Sequence, residues 1–183
     1  MAEIRDLTKG SIPAHMVRLA VPLIAGNILQ QLYNTADALI LGRFAGSTEF
    51  AAVGVAGSVM NLFLFMITGA CTGVSVLFSQ FYGASDLDSF RREHALALWL
   101  GAGMALGCGG LGFALLPLLL RVIQTPAELM APVSAYMTVI FSALLATFLY
   151  NLYSALLRAI GQAHIALLAL AAAVAVNLGL DLW

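Results

Sequence analysis

Five apolar stretches, each at or above the roughly 20 residues a membrane-spanning helix needs, take up most of this chain. They run from about Val17 to Gly42, Phe50 to Tyr82, Ala95 to Leu120, Leu129 to Leu157 and Ile165 to Trp183. None shows the period-two alternation of a barrel strand, so in lipid each backbone satisfies its own hydrogen bonds as a helix. The expectation is an all-α, polytopic helical membrane protein. Composition agrees, with 62% of the 183 residues hydrophobic and 9% charged, against about a quarter charged in soluble chains. The net charge of −1 offers no basic patch for a phosphate backbone, so nucleic acid is not an expected partner. Cys71 and Cys108 lie inside apolar runs and read as small fillers rather than as a disulfide or metal framework. No Walker loop, dinucleotide turn, nucleophile elbow or His-rich metal spacing occurs, and an enzyme with a cofactor is not expected.

The first stretch is too long and too polar for a signal peptide, since it holds Asn27, Gln30, Gln31, Asn34 and Asp37. Arg5, Lys9, Arg18, Arg91, Arg92 and Arg158 flank one side of the predicted bundle, against Arg43 and Arg121 on the other. By the positive-inside rule the N-terminus is expected in the cytoplasm, in a multi-pass protein of the plasma (inner) membrane. The fifth stretch runs into Trp183 with no loop or basic anchor after it, as expected of a lobe cut before a sixth helix.

Polar side chains inside apolar runs are the main functional signal, because an ionised carboxylate at the bilayer centre costs about 2.5–3.5 kcal/mol on insertion scales. Asp37 lies roughly 28 Å along its helix from Arg18, and Asp181 roughly 25 Å from His164, which sets both acids at similar depth in the outer half. On helix 1, Asn27, Gln30, Asn34 and Asp37 follow steps of three, four and three, and on helix 5, Asn177 and Asp181 share a face. Facing each other across the bundle or a wet cavity, the two stripes avoid lipid. Carboxylates and amides at matched depth can hold a proton or a small hard cation such as Na+ through oxygen ligands. Tyr150 and Asn151 on helix 4 are candidate cavity-lining residues beside Gln30 and Asn34, and Pro22 is a candidate hinge, because it removes a backbone bond to residue 18. The glycines of helix 3, including the step from Gly103 to Gly107, predict close packing on a neighbour, and Gly69, Ala70, Thr72 and Gly73 do the same for helix 2.

These residues resemble a known family. The segment RLAVPLIAGNILQQLYNTADALILGRFAG from Arg18 to Gly46 looks like the first helix of multidrug and toxic compound extrusion (MATE) transporters, with its early Pro, amide-rich middle, Asp and then Gly. AAVGVAG at Ala51–Gly57, SQFYGA at Ser79–Ala84, ALLRAIGQ at Ala155–Gln162 and NLGLD at Asn177–Asp181 resemble the same family in the same order. One departure is Gln162, where many members carry an acidic residue. The resemblance implies a twelve-helix transporter of two lobes, of which this chain is the amino-terminal one without helix 6. It also implies export of organic, often cationic, drug-like compounds in exchange for H+ or Na+, with Asp37, Asn177 and Asp181 as the ion-coupling site and the second lobe as partner. Two alternatives stand beside it. A flippase for lipid-linked oligosaccharides, from the same superfamily, predicts a more basic cavity than apolar runs without a mid-membrane Lys or Arg supply. A non-transporting membrane module predicts no response to ions.

Overall fold

The computed structural model describes residues 11–181, without the side chains of Ile12, Ala14, Ala45, Leu180 and Asp181. It contains five helices in chain order, α1 (Ile12–Ile40), α2 (Ser47–Gly83), α3 (Leu87–Val122), α4 (Ala127–Ala159) and α5 (Ala163–Asp181), with a π-helical turn, Leu41–Ala45, closing α1. Among the described residues there is no strand. The helices are longer than the apolar runs that announce them. At 37 residues, α2 extends for about 55 Å, well beyond a hydrocarbon core of about 30 Å. Charge marks the edge of the membrane and not the end of a helix, so α3 starts at Leu87 and winds Asp88, Arg91, Arg92 and Glu93 into its first turns. Asp86 caps it by accepting the Ser89 N–H at 3.0 Å. Hydrogen bonds from Ser89, side chain first and backbone second, hold the Asp86 carboxyl below its ordinary range.

By length and composition, α2, α3 and α4 can each cross a membrane. The sequence predicts five crossings. Helix α1 has 29 residues, and the described apolar part of α5 is the shorter run Ala163–Gly179. Helix α1 begins at Ile12, with a proline in its first turn, and continues through Pro22. Pro22 therefore lies inside the helix and does not start it.

Three joints share one solution. After α2, Asp86 N–H reaches the Phe81 carbonyl at 3.0 Å and Ser85 N–H the Tyr82 carbonyl at 3.1 Å. After α3, Thr125 pairs with Leu120 and Gln124 with Arg121; after α4, Gln162 pairs with Leu157 and Gly161 with Arg158. Each is a Schellman end with one left-handed residue, Ser85 (φ 58), Gln124 (φ 54) or Gly161 (φ 78). Only Gly161 adopts it without the roughly 1–2 kcal/mol cost of a Cβ.

Helix α4 lies against both α2 and α3, while α1 lies against α5 and α5 meets α4 more lightly. The core is thus a three-helix block, and α1 with α5 form a wing on it. Ile67, Phe78, Leu120, Met137, Leu144 and Leu152 are fully buried in the block. Phe141 of α4 fits between Phe63 of α2 and Phe113 of α3, with ring centroids 5.0 and 5.6 Å away. The ring fits because Gly112 has no Cβ: one built there would meet the Phe141 ring at 2.6 Å. Helix α3 does pack through its glycines, with Gly101, Gly109 and Gly112 against α4, but not through the step from Gly103 to Gly107. Gly101, Ala105, Cys108 and Gly112 face α4, whereas Gly103 and Gly107 have open space around them. On α2 the buried small residues are Ala52, Ala56 and Cys71, and Gly69 and Gly73 are open. Both cysteines are buried free thiols, as fillers should be. Outside the block, Trp99 and Phe65 are 77% and 72% exposed, a placement suited to contact with lipid or further protein.

Candidate functional site

The polar residues of α1 take their positions from α5. A Cβ on Gly26 would touch Leu167 and Leu170 at 3.6 and 3.7 Å, so the two backbones approach closely there. Further along, Asn177 Nδ2 donates to the Tyr33 hydroxyl at 2.8 Å, across 144 residues of chain. Both contacts advance in the same direction, so α1 and α5 run parallel and in step. The same offset that relates Tyr33 to Asn177 relates Gly26 to Leu170 and Asp37 to Asp181. The α5 backbone reaches Asp181, while the Asp181 side chain lies outside the described residues. Asp37 also lies within electrostatic reach of the half-buried Tyr136 on α4. These residues form an upper station: Tyr33, Asp37, Asn177 and Tyr136, brought together from α1, α4 and α5.

A lower station lies where α1, α4 and α5 line a half-open cavity of about 220 Å³. Its polar lining is Asn27 and Gln30 from α1 with Tyr150, Asn151, Ser154 and Arg158 from α4; Pro22 and Gly26 complete the α1 side. The α4 residues recur at helical spacing along one face. Asn151 Nδ2 donates to the Thr147 carbonyl at 2.8 Å, which satisfies part of the amide within its own helix. Seven residues separate Gln30 from Asp37, about 10 Å of helix, so the polar stripe of α1 serves two stations.

The expected cavity residues Gln30, Tyr150 and Asn151 therefore do meet around one space, and the expected hinge Pro22 borders it. Asn34 is not among the residues lining that cavity; its amide donates to Gln31 Oε1 at 3.1 Å on the same helix. Four polar contributors were not foreseen, Tyr136 of α4 among them. Tyr33 precedes Asp37 by four residues, and Ser154 lies between Asn151 and Arg158 at steps of three and four, so the spacing signal was present in both cases. Arg158 reads in the sequence as a loop cation but occupies the last turn of α4 and lines the cavity, supplying a positive charge that the apolar runs do not reveal.

The Tyr33–Asn177 bond gives a direct expectation. Interhelical hydrogen bonds in membranes contribute about 0.6 kcal/mol on average, so Tyr33→Phe should lower unfolding stability by about that amount. A double-mutant cycle with Asn177→Ala, read by unfolding in mixed micelles, should return the same coupling energy. Coupling near zero would show that the two side chains do not interact.

The chain is similar to known proteins. The MatE family model matches residues 22–183. A probable multidrug resistance protein of Bacillus subtilis, YpnP, is 30% identical over 94% of this chain and 39% of its own length. A second from Thermotoga maritima, NorM, is 26% identical over 85% of this chain and 34% of its own. Among solved structures, a MATE protein in the bent conformation superposes with a TM-score of 0.85 at 24% identity, covering 94% of this chain and 38% of that one. A MOP superfamily transporter from Pyrococcus furiosus superposes with a TM-score of 0.90 at 24% identity, covering 99% of this chain and 40% of that one. The chain spans about two fifths of the length of the first relatives it matches.

Proposed function

The chain belongs to the MatE family, and from that premise we propose that it forms the first lobe of a secondary active multidrug exporter. In this reading the complete transporter has twelve helices in two lobes, resides in the plasma membrane with its N-terminus in the cytoplasm, and exchanges organic, often cationic, compounds for H+ or Na+. Asp37, Asn177 and Asp181 bind the coupling ion; no cofactor takes part. The observation that supports this most is the Asn177–Tyr33 bond, because the α1–α5 register it fixes sets Asp37 and Asp181 at one level. A carboxylate in a low-dielectric site favours neutralisation, by a proton or by a cation held through its oxygens. Exchange follows if the loaded and empty sites differ in affinity for the two facing states, since only a differential affinity shifts such an equilibrium.

The test is transport by the intact transporter that carries this chain, in inverted membrane vesicles with the cationic dye ethidium as probe. An imposed H+ or Na+ gradient should drive dye accumulation, and supplying the two gradients separately identifies the ion. Accumulation no greater than in vesicles without the protein, under either gradient, overturns the proposal.

A further inference from the structure

Arg158 is the residue the ion-coupling reading leaves without a role. It stands in the last turn of α4, half-buried, and lines the lower cavity with Ser154, itself 6% exposed, one turn before it. The rest of the polar lining is uncharged: Asn27, Gln30, Tyr150 and Asn151. Among the described residues no carboxylate lines this space, and the ionisable side chain within electrostatic reach of the Arg158 guanidinium is the Cys71 thiol. The guanidinium is half-buried in a half-open pocket, so it is partly withdrawn from water with no carboxylate beside it, a position that favours an anionic partner. The surrounding groups are donors as well as acceptors, and a guanidinium presents a planar fork that matches the two oxygens of a carboxylate or phosphate.

Size narrows the ligand. A volume of about 220 Å³ is roughly seven water volumes, more than hydration of one guanidinium requires. It is also below the roughly 300–1,000 Å³ of pockets that enclose a whole drug-sized molecule. We propose that the lower cavity is an oxyanion site, in which Arg158 takes the carboxylate or phosphate group of a small amphiphile or headgroup, and Ser154, Gln30 and Asn27 supply neutral hydrogen bonds. This gives the lobe two stations of opposite charge preference, with the acids of the upper one about 10 Å of helix from Gln30.

The experiment uses the protein that carries this chain, reconstituted in phosphatidylcholine nanodiscs, and reads its thermal stability against inorganic phosphate at constant ionic strength, with chloride as control. A ligand that binds only the folded state raises the unfolding temperature with concentration. Phosphate should do so in the wild type. Arg158→Gln should remove the increment. Arg158→Lys, which keeps the charge and loses the fork, should weaken the apparent affinity about tenfold, the equivalent of 1.4 kcal/mol. Ser154→Ala, a small change in the buried lining, should weaken it severalfold with helix content unchanged, so that the result does not depend on the folding of the Arg158 variants. A second set of discs, with phosphatidylglycerol mixed into the phosphatidylcholine, separates the sources of the anion. Stabilisation by that lipid alone, lost in Arg158→Gln, assigns the site to a lipid headgroup; stabilisation by phosphate assigns it to a soluble anion. If neither anion stabilises the wild type, or if Arg158→Gln and Ser154→Ala keep the full increment, the proposal is overturned.

Discussion

Asp37→Asn should abolish ion-coupled efflux by the intact transporter while leaving its expression and helix content unchanged. The amide has nearly the shape of the carboxyl, so packing beside Tyr33, Asn177 and Tyr136 is retained. It can neither take up and release a proton nor offer a charged oxygen to a cation, so the site is fixed in one electrical state. Since each tenfold in coupling corresponds to about 1.4 kcal/mol of differential affinity, loss of that differential should lower gradient-driven ethidium transport by at least about tenfold. Downhill leakage of dye should persist. Wild-type accumulation in Asp37→Asn vesicles would remove Asp37 from the coupling role and leave it as a polar contact between α1 and α4.

The second large effect is structural. Gly101 of α3 faces the ring of Phe148, and a methyl at this glycine would overlap the Cε2 and Cζ atoms of that ring. Phe148 is 2% exposed, enclosed by the block, so the ring has little room to yield. Overpacking of this kind costs roughly 1–3 kcal/mol, and Gly101→Ala should destabilise by that much. Gly103→Ala, two residues on, meets nothing within 4 Å and should be neutral or stabilising, because alanine favours a helix by about 1 kcal/mol over glycine. The cause is isolated by repeating Gly101→Ala in a Phe148→Ala background, where the obstructing ring is gone. There the added cost should nearly vanish, with a coupling energy of about 0.5–3 kcal/mol between the two sites. An equal cost in both backgrounds would place the strain elsewhere.

Helix number, type and order were legible because an apolar run long enough to span lipid has one backbone solution. Boundaries were less so: Asp88, Arg91, Arg92 and Glu93 mark an interface, but nothing in their chemistry stops a helix whose cap lies at Asp86. The packing face of α3 was hidden by an excess of glycine, since Gly103 and Gly107 give as good a small-residue step as Gly101, Ala105 and Gly112. Only the positions of Phe141 and Phe148 on another helix select between them. The two ends of the α1 stripe were visible from spacing alone. Their division into an upper and a lower station was not, because it depends on where α4 crosses, and Arg158 changes meaning once α4 is seen to continue through it.

The pairing of α1 with α5 also bears on how the chain is made. Asn177, the partner of Tyr33, is encoded 144 residues later, and at roughly 5–20 residues per second that is a delay of about 7–30 s during synthesis. Throughout that interval α1 lacks both the Asn177 partner of Tyr33 and the helix it packs against. A slowing of translation between the two helices therefore lengthens the period in which α1 is without its α5 contacts.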